Sequence, residues 1–438
     1  MNNSSRKIWE NPWGYLEGFI VAAGVVLTGI LLQATTGKLN PDLYAYPVNV
    51  FIGALFVIGL LTIYFIFNKN RSVKWFSTVY STLPAIVVLL VLCIILGFIP
   101  QFPITAEESQ LPLDLFTSLG WYQMTTSWSF VLCCFYLLII LGFTTLYRTT
   151  RRQSWRDIGF YLNHLGLFIA LLGGVLGSSD LVRLTMTVSK GNTEWRGTTH
   201  KGEIVEMPLA IQLDSFIIEE YEPKLVVIDN ETGRILPEAR PESYMYEGIG
   251  KKTQLAGISL EVTDYLPYAA VFKDSVHSNI VPMQMDGSTA ALKVKATHEG
   301  ITQPVEGWIS NGSYLFPHSI LQIDENRSLA MPPQEVKKYS SHITLYTEEG
   351  KTEKAVIEVN KPLSVNNWMI YQYSYDDSKG KYSDTSVFEL VYDPWLKIVY
   401  IGIVMLLSGA IFLFVAGPET NNLKIEKITE IESDKIKK

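Results

Sequence analysis

Six apolar runs, each close to the roughly 20 residues a helix needs to cross a bilayer, set the first limit on this chain. They fall near Gly14–Leu32, Val48–Phe67, Thr78–Ile99, Ser129–Leu146, Ile158–Gly177 and Leu396–Val415. Five follow one another closely, and a long polar stretch separates the fifth from the sixth. The chain is 48% hydrophobic over 438 residues, yet its mean hydropathy is only +0.17. That combination divides it between lipid-buried helices and a large water-soluble part. Glu17 interrupts the first run and no small-residue cleavage site follows it, so an uncleaved anchor is expected at the start.

Basic residues give the expected orientation. Lys69, Arg71 and Lys74 crowd the link between the second and third runs, and Arg148, Arg151, Arg152 and Arg156 that between the fourth and fifth. Arg6 and Lys7 precede the first run, and Lys424, Lys427, Lys435, Lys437 and Lys438 follow the last. Gln101 to Ser127 holds no basic residue but carries Glu107, Glu108 and Asp114. These regions agree on both termini in the cytoplasm and the long polar stretch outside. Trp9, Trp13, Trp75, Trp121, Trp128, Trp155 and Trp395 lie at or near span ends, where indole rings favour the membrane boundary.

The polar stretch, 178–393, reads as short alternating segments: LTMTV, LAIQL, KLVVI, ISLEV, ALKVKA, HITLY, AVIEV and VFEL. DNETG at 229–233, MDGST at 285–289 and EEGK at 348–351 are turn signals between them. An alternating pattern broken by such turns predicts antiparallel strands in a sandwich-like arrangement. The expected fold is a membrane protein: a six-helix α-helical transmembrane bundle with a large extracytoplasmic, mainly antiparallel β domain between the fifth and sixth spans. In residue ranges this gives a membrane region 1–177, a β-rich domain 178–393, a sixth span 394–416 and a cytoplasmic tail 417–438.

Several function classes lose support at this stage. A net charge of −7 argues against nucleic acid as a partner. Cys93, Cys133 and Cys134 all fall in apolar runs, so no disulfide framework holds the polar stretch. Cys133 and Cys134 are adjacent and point about 100° apart on a helix, as buried small residues. No C-x-x-C-H is present, so the chain is not itself a c-type cytochrome. No spacing suggests a metal cluster, a nucleophile with its base or a phosphate loop, and no catalytic residue is assigned. His200, His277, His298, His318 and His342 form no H-x-x-x-H pattern.

One ionisable residue is out of place. The stretch YLNHLGLFIALLGGVLGSSD, from Tyr161 to Asp180, puts His164 inside the fifth span. Such a residue is costly in lipid and usually faces a cavity, a partner or a cofactor. On a helical wheel Gly159, Asn163, Gly166, Ala170, Gly173 and Gly177 form one stripe of small residues, suited to close helix packing. His164 points roughly 140° from Gly159, beside Phe160, Leu167, Phe168, Leu171 and Val175. An imidazole among large apolar side chains suits a porphyrin, whose iron takes a neutral histidine nitrogen. It equally suits a hydrogen bond to another helix that contributes packing alone. His164 is the only histidine in any span. A second axial ligand would come from another chain, or the iron keeps an open position.

VNKPLSVNNWMIYQYSYD, from Val359 to Asp376, and VFELVYDPWLKIVYIGIVMLLSG, from Val387 to Gly409, join FYLNHLGLFIALLGGVLGSSD in a recognisable order. Together they resemble the ResB-type cytochrome c biogenesis proteins, over roughly the last three-fifths of the chain. The shared features are the histidine in the span before the domain, Asn360 and Pro362, then Tyr371, Gln372 and Tyr375 in an aromatic strand, and Asp393-Pro394 opening the last span. Trp368, Tyr371, Tyr373 and Tyr375 are expected to line one face of that strand. The family plan has about three spans before the domain; here there are five.

The resemblance implies one subunit of a two-part cytochrome c synthase, not catalytic alone, in a bacterial plasma membrane. It implies haem b, transiently bound, with the family histidine mapping onto His164. It implies as partners a tryptophan-rich, CcsA-type haem-handling membrane protein, apocytochrome c and a thiol-reducing thioredoxin-like protein. The tryptophan-rich segment itself is not found in this chain. His164 lies roughly 9 Å from the cytoplasmic end of its span, a depth that suits haem entry. The competing expectation is a membrane adaptor whose β domain binds apocytochrome or stabilises the partner without touching haem. A b-haem redox subunit needs paired histidines, and a transporter fold needs inverted repeats with broken helices; neither is seen.

Overall fold

The computed structural model describes residues 9–103, 106, 110–273, 278–298 and 303–416. Arg6, Lys7, Glu107, Glu108, His277 and the lysine-rich tail 417–438 lie outside the described residues. The chain divides into two compact units, one of 1–182 with 392–438 and one of 183–391.

The first unit is helical: α1 (Tyr15–Thr36), α2 (Val48–Phe67), α3 (Arg71–Phe76), α4 (Val79–Phe98), α5 (Leu115–Ser118), α6 (Trp128–Thr149), α7 (Asp157–Gly177) and α8 (Leu396–Ala416). Six of these, α1, α2, α4, α6, α7 and α8, are long and apolar enough to cross a membrane. This is a multi-pass membrane protein. The first span runs past its apolar stretch to Thr36, and Thr35 and Thr36 turn their hydroxyls inward to donate to the Leu31 and Leu32 carbonyls, at 2.9 and 2.8 Å. It stops at Gly37, whose φ of 73° is open to glycine. Glu17, the acid inside this span, sits buried in the first turn and accepts from the Gly14 amide at 2.7 Å. The short α3 replaces the loop expected after α2; Asn70 caps it by accepting from the Ser72 amide.

α6 is the centre of the bundle. It packs on α1, α2, α3, α4 and α7, and buries Cys133, Cys134, Leu138, Ile140 and Phe143. The outer helices show Phe51, Leu55, Phe65, Phe98, Leu407 and Phe414 at their surfaces. An apolar face that wide is stable against lipid, not water.

The second unit is all β. In chain order its strands are β1 (Val182–Ser189), β2 (Thr193–Thr198), β3 (Ile204–Glu220), β4 (Lys224–Asp229), β5 (Tyr244–Met245) and β6 (Lys252–Leu255). Next come β7 (Ile258–Lys273), β8 (Ser278–Pro282), β9 (Thr289–Thr297), β10 (Val305–Ser310), β11 (Leu321–Gln322) and β12 (Arg327–Ala330). The last are β13 (Val336–Thr347), β14 (Thr352–Glu358), β15 (Leu363–Val365), β16 (Trp368–Tyr375) and β17 (Thr385–Tyr392).

Half of this unit is the expected sandwich. Sheet β10-β9-β7-β6, with β8 on β7, faces sheet β11-β12-β4-β5. Leu225, Val227 and Leu329 from one side meet Leu260, Leu292, Val294 and Ile309 from the other in one core. The other half is a single eight-stranded sheet, β14-β13-β3-β2-β1-β17-β16-β15. Its inner face gathers Leu184, Met186, Ile211, Leu213, Ile343, Ile370 and Phe388. Ser341 of β13 reaches Gln372 of β16 and Ser386 of β17, although these strands are far apart in sheet order. The sheet therefore curls on itself and is nearly closed. Right-handed twist and the bulges in β13 at Val336/Lys338 and His342/Ile343 favour such curling.

Candidate functional site

The site is built on α7, whose two faces do different things. On the small-residue face, a Cβ added to Gly166 would fall 2.8 Å from the Gly402 carbonyl oxygen and 2.9 Å from the Met405 Cβ. One added to Gly159 would meet Phe412 and Leu413 at 2.8 Å, and one on Gly177 would meet Trp395 at 2.4 Å. Gly173 has Ile398 at 3.2 Å. All these neighbours belong to α8 or, for Trp395, directly precede it, so the stripe seats the last span on the fifth. Asn163 turns its amide back onto its own helix, donating to the Gly159 carbonyl at 2.8 Å.

His164 stands on the other face, half-buried. Its ring stacks on Phe160 with centroids 3.9 Å apart and planes 24° from parallel. Nδ1 lies 3.0 Å from the Phe160 carbonyl oxygen. A carbonyl oxygen only accepts, so Nδ1 carries a hydrogen and, in the neutral ring, Nε2 keeps the lone pair. Nε2 has no hydrogen-bond partner among the described residues. One turn on, Phe168 stacks on Phe56 of α2 at 6.4 Å. The imidazole thus has one nitrogen fixed by the backbone, the other free, and aromatic rings above and below it in the helix.

At the start of α7, Asp157 is 3% exposed and accepts from Arg148 Nε of α6 at 2.6 Å. Its other oxygen accepts from the Ser154 amide at 2.6 Å. The Arg148 guanidinium carbon lies 5.5 Å over the Phe160 ring. Phe160 therefore has the Arg148 guanidinium and the His164 imidazole both beside its ring.

The residues singled out in the last part of the chain are placed as follows. Asn360 takes φ 62° in the turn closed by the Lys361 amide on the Glu358 carbonyl, and Pro362 leads directly into β15. Gln372 is buried, accepting from Ser341 at 2.5 Å and donating to Ser386 at 2.8 Å. Tyr371, Tyr373 and Tyr375 share the outer face of β16, as strand alternation requires. Trp368 does not join them: it has the parity of Ile370 and packs against the inner core. Asp393 accepts from the Trp395 and Leu396 amides at 3.1 and 3.0 Å and caps α8, with Pro394 inside the cap. His200 and His318 are exposed and His298 and His342 half-buried, on separate elements. Among the described residues no cluster of His, Cys, Asp and Glu is placed to hold a metal ion.

Two features had no signal in the sequence. Asp180, just beyond α7, accepts from the Tyr46 amide at 2.7 Å, Asn49 Nδ2 at 2.7 Å and Trp395 Nε1 at 2.6 Å. The Tyr46 and Trp395 donors stand 134 and 215 residues away, beyond any spacing rule. Within the β unit, a cavity of about 330 Å³ is lined by Glu220, Ser288, Tyr314, Tyr375, Lys381 and Tyr382. Burial pushes the Tyr382 phenol up to about 12, and the Lys381 ammonium lies 5.6 Å over its ring.

A family model described as the ResB-like family matches residues 321–384. The matched segment holds Asn360, Pro362, Tyr371, Gln372 and Tyr375, and lies wholly within the β unit. The chain is consistent with a ResB-type protein over this segment, and the match points to a membrane protein of cytochrome c biogenesis. Among curated proteins none matches the chain.

Proposed function

We propose that this chain takes haem at His164 and, with a tryptophan-rich membrane partner, passes it outward for attachment to apocytochrome c. The observation that carries this reading is the hydrogen bond from Nδ1 to the Phe160 carbonyl at 3.0 Å, which leaves Nε2 as an unpartnered nitrogen with a lone pair. A ligating histidine commonly has this arrangement, with its second nitrogen bonded to a backbone carbonyl that fixes tautomer and ring orientation. The flanking Phe160 and Phe168 suit the apolar rim of a porphyrin. The residues present fit haem. Here haem is cargo, and what the chain contributes is a nitrogen donor, an apolar wall and a fixed ring orientation.

The basic residues around α3 and between α6 and α7 support a cytoplasmic location for the Asp157 end of α7. On that reading His164 meets haem near the side where it enters. The second axial position, if filled, is filled by another chain.

The test is a visible spectrum of the protein purified with its tryptophan-rich partner. Wild type, His164→Ala, and His164→Ala with imidazole are compared in oxidised and reduced forms. A haem signal that falls in an assembled mutant and returns with imidazole supports ligation. Unchanged haem content with cytochrome maturation intact removes it. The adaptor reading then takes over, favoured by the family match lying in the β unit and not in the span.

A further inference from the structure

We propose that Arg148 is the carboxylate-binding residue of the His164 site and takes a propionate of the haem. This rests on the haem reading of His164 and adds a second contact to it.

Porphyrin is apolar around its rim except for two carboxylates, so a site that takes it from one side of a membrane needs a donor for them at the polar end. Four arginines stand at this end of α6 and α7, and geometry separates them. Arg151 donates to the Tyr147 hydroxyl at 2.8 Å and lies 4.6 Å over the Tyr147 ring. Arg156 lies over Trp155 at 5.7 Å. Arg152 makes no ring contact among the described residues. Arg148 is the one tied to the histidine, through Phe160: its guanidinium carbon is 5.5 Å from the Phe160 centroid, and His164 is 3.9 Å from the same centroid.

The hydrogen bonding of Arg148 is unfinished. Nε donates to Asp157 Oδ1 at 2.6 Å, and Nη2 contacts the same oxygen. Both use one edge of the guanidinium. Nη1 has no partner among the described residues, and the side chain is 42% exposed. A guanidinium presents donors in a rigid fork and is weakly hydrated, so an edge fixed by one carboxylate leaves another aimed for a second. Asp157 holds the group in place, and guanidinium and imidazole both lie near the Phe160 ring. The competing account is that Arg148 only ties α6 to α7. That account gives no dependence on the carboxylates of the ligand.

The experiment titrates the purified full-length protein in detergent with haem b and with haem b dimethyl ester, reading Soret absorbance. Wild type is expected to prefer the free acid by about tenfold or more, the ratio expected of one charge-assisted hydrogen bond. In Arg148→Gln that preference is expected to vanish, with affinity for the ester unchanged. Asp157→Asn removes the charge that pairs α6 with α7 but keeps a side-chain oxygen that can accept from Arg148 Nε, and is expected to retain a preference for the free acid. Equal loss for haem and ester in Arg148→Gln, or an Asp157→Asn protein that behaves like it, overturns the assignment. Either result leaves the haem reading standing, provided the His164→Ala signal still depends on imidazole. Haem binding that ignores His164 in this titration overturns both.

Discussion

Gly166 of the fifth span and Gly402 of the sixth meet backbone to backbone. A Cβ on Gly402 would fall 2.6 Å from the Gly166 carbonyl oxygen, and one on Gly166 2.8 Å from that of Gly402. Lipid gives two helices no hydrophobic reason to associate, so this close approach is what pairs α7 with α8. Gly402→Ala is expected to lower the melting temperature of the detergent-solubilised protein, at a cost of about 1–3 kcal/mol from overpacking. Gly174→Ala is the control, since nothing lies within 4 Å of the added carbon. A melting temperature unchanged in both would mean that α8 can shift away freely.

Asp180 ties three spans at one end of the bundle, and its charge state sets how well. Burial raises its carboxyl pKa, but the donors Asn49, Tyr46 and Trp395 outweigh that and hold it below the usual carboxylate range. A carboxyl that is harder to protonate when folded stabilises the protein above the usual carboxylate range. The contribution fades as pH falls through the lowered folded value. Asp180→Asn is therefore expected to melt below wild type at neutral pH, with the gap closing only as pH falls below the usual carboxylate range. Parallel melting curves with a constant gap would assign the loss to packing, not charge.

Some of this was legible in the chain and some was not, for physical reasons. Hydropathy located all six spans because a lipid-facing helix must be apolar over its whole length. The Gly159 to Gly177 stripe showed that one face of α7 is small, but which helix lies on it depends on a partner more than two hundred residues on. LTMTV, LAIQL and HITLY announced β1, β3 and β13, since half-buried strands alternate. The curl of the eight-stranded sheet did not show, because closure depends on bulges and on Ser341 meeting Gln372 across the interior. Trp368 and Tyr371 sit three residues apart, and a period of two sends them to opposite faces, so the aromatic run does not line one face as expected. For His164, the pattern gave its depth and apolar surroundings; the bond that fixes its tautomer needed coordinates.

The interior polar bridge of the curled sheet gives a third prediction. Ser341 and Ser386 are fully buried and Gln372 nearly so, and the three satisfy one another, with Gln372 also donating to the Ser374 carbonyl at 3.1 Å. Gln372→Leu keeps the volume but removes both sides of the amide, leaving the two serines 2.8 Å apart with only each other. The expected loss is about 1–3 kcal/mol, read from denaturant unfolding of the full-length protein followed by near-ultraviolet circular dichroism. Gln372→Ala is expected to lose more, because it adds a cavity. Were Gln372→Leu to gain stability, the bridge would serve some end other than holding the sheet closed.

The turn between β15 and β16 lies in the segment matched by the ResB-like family and offers a sharp local test. Val365 pairs with Trp368, so Asn366 and Asn367 alone make the turn, with φ of 47° and 68°. Two consecutive left-handed residues define the tight hairpin turn whose twist matches that of the strands it joins, and asparagine and glycine tolerate it best. Asn367→Gly is expected to leave stability within about 0.5 kcal/mol of wild type. Asn367→Val puts a branched Cβ into the left-handed region and is expected to cost about 1–2 kcal/mol. The position points to where that cost would appear. β15 is the last strand of the eight-stranded sheet, and its one sheet neighbour is β16, so a strained turn should free it before the rest unfolds. Limited proteolysis should then cut Asn367→Val near residues 363–368 at temperatures where wild type is intact. Resistance equal to wild type would show that β15 is anchored by its inward-facing Leu363 and Val365 and not by its turn.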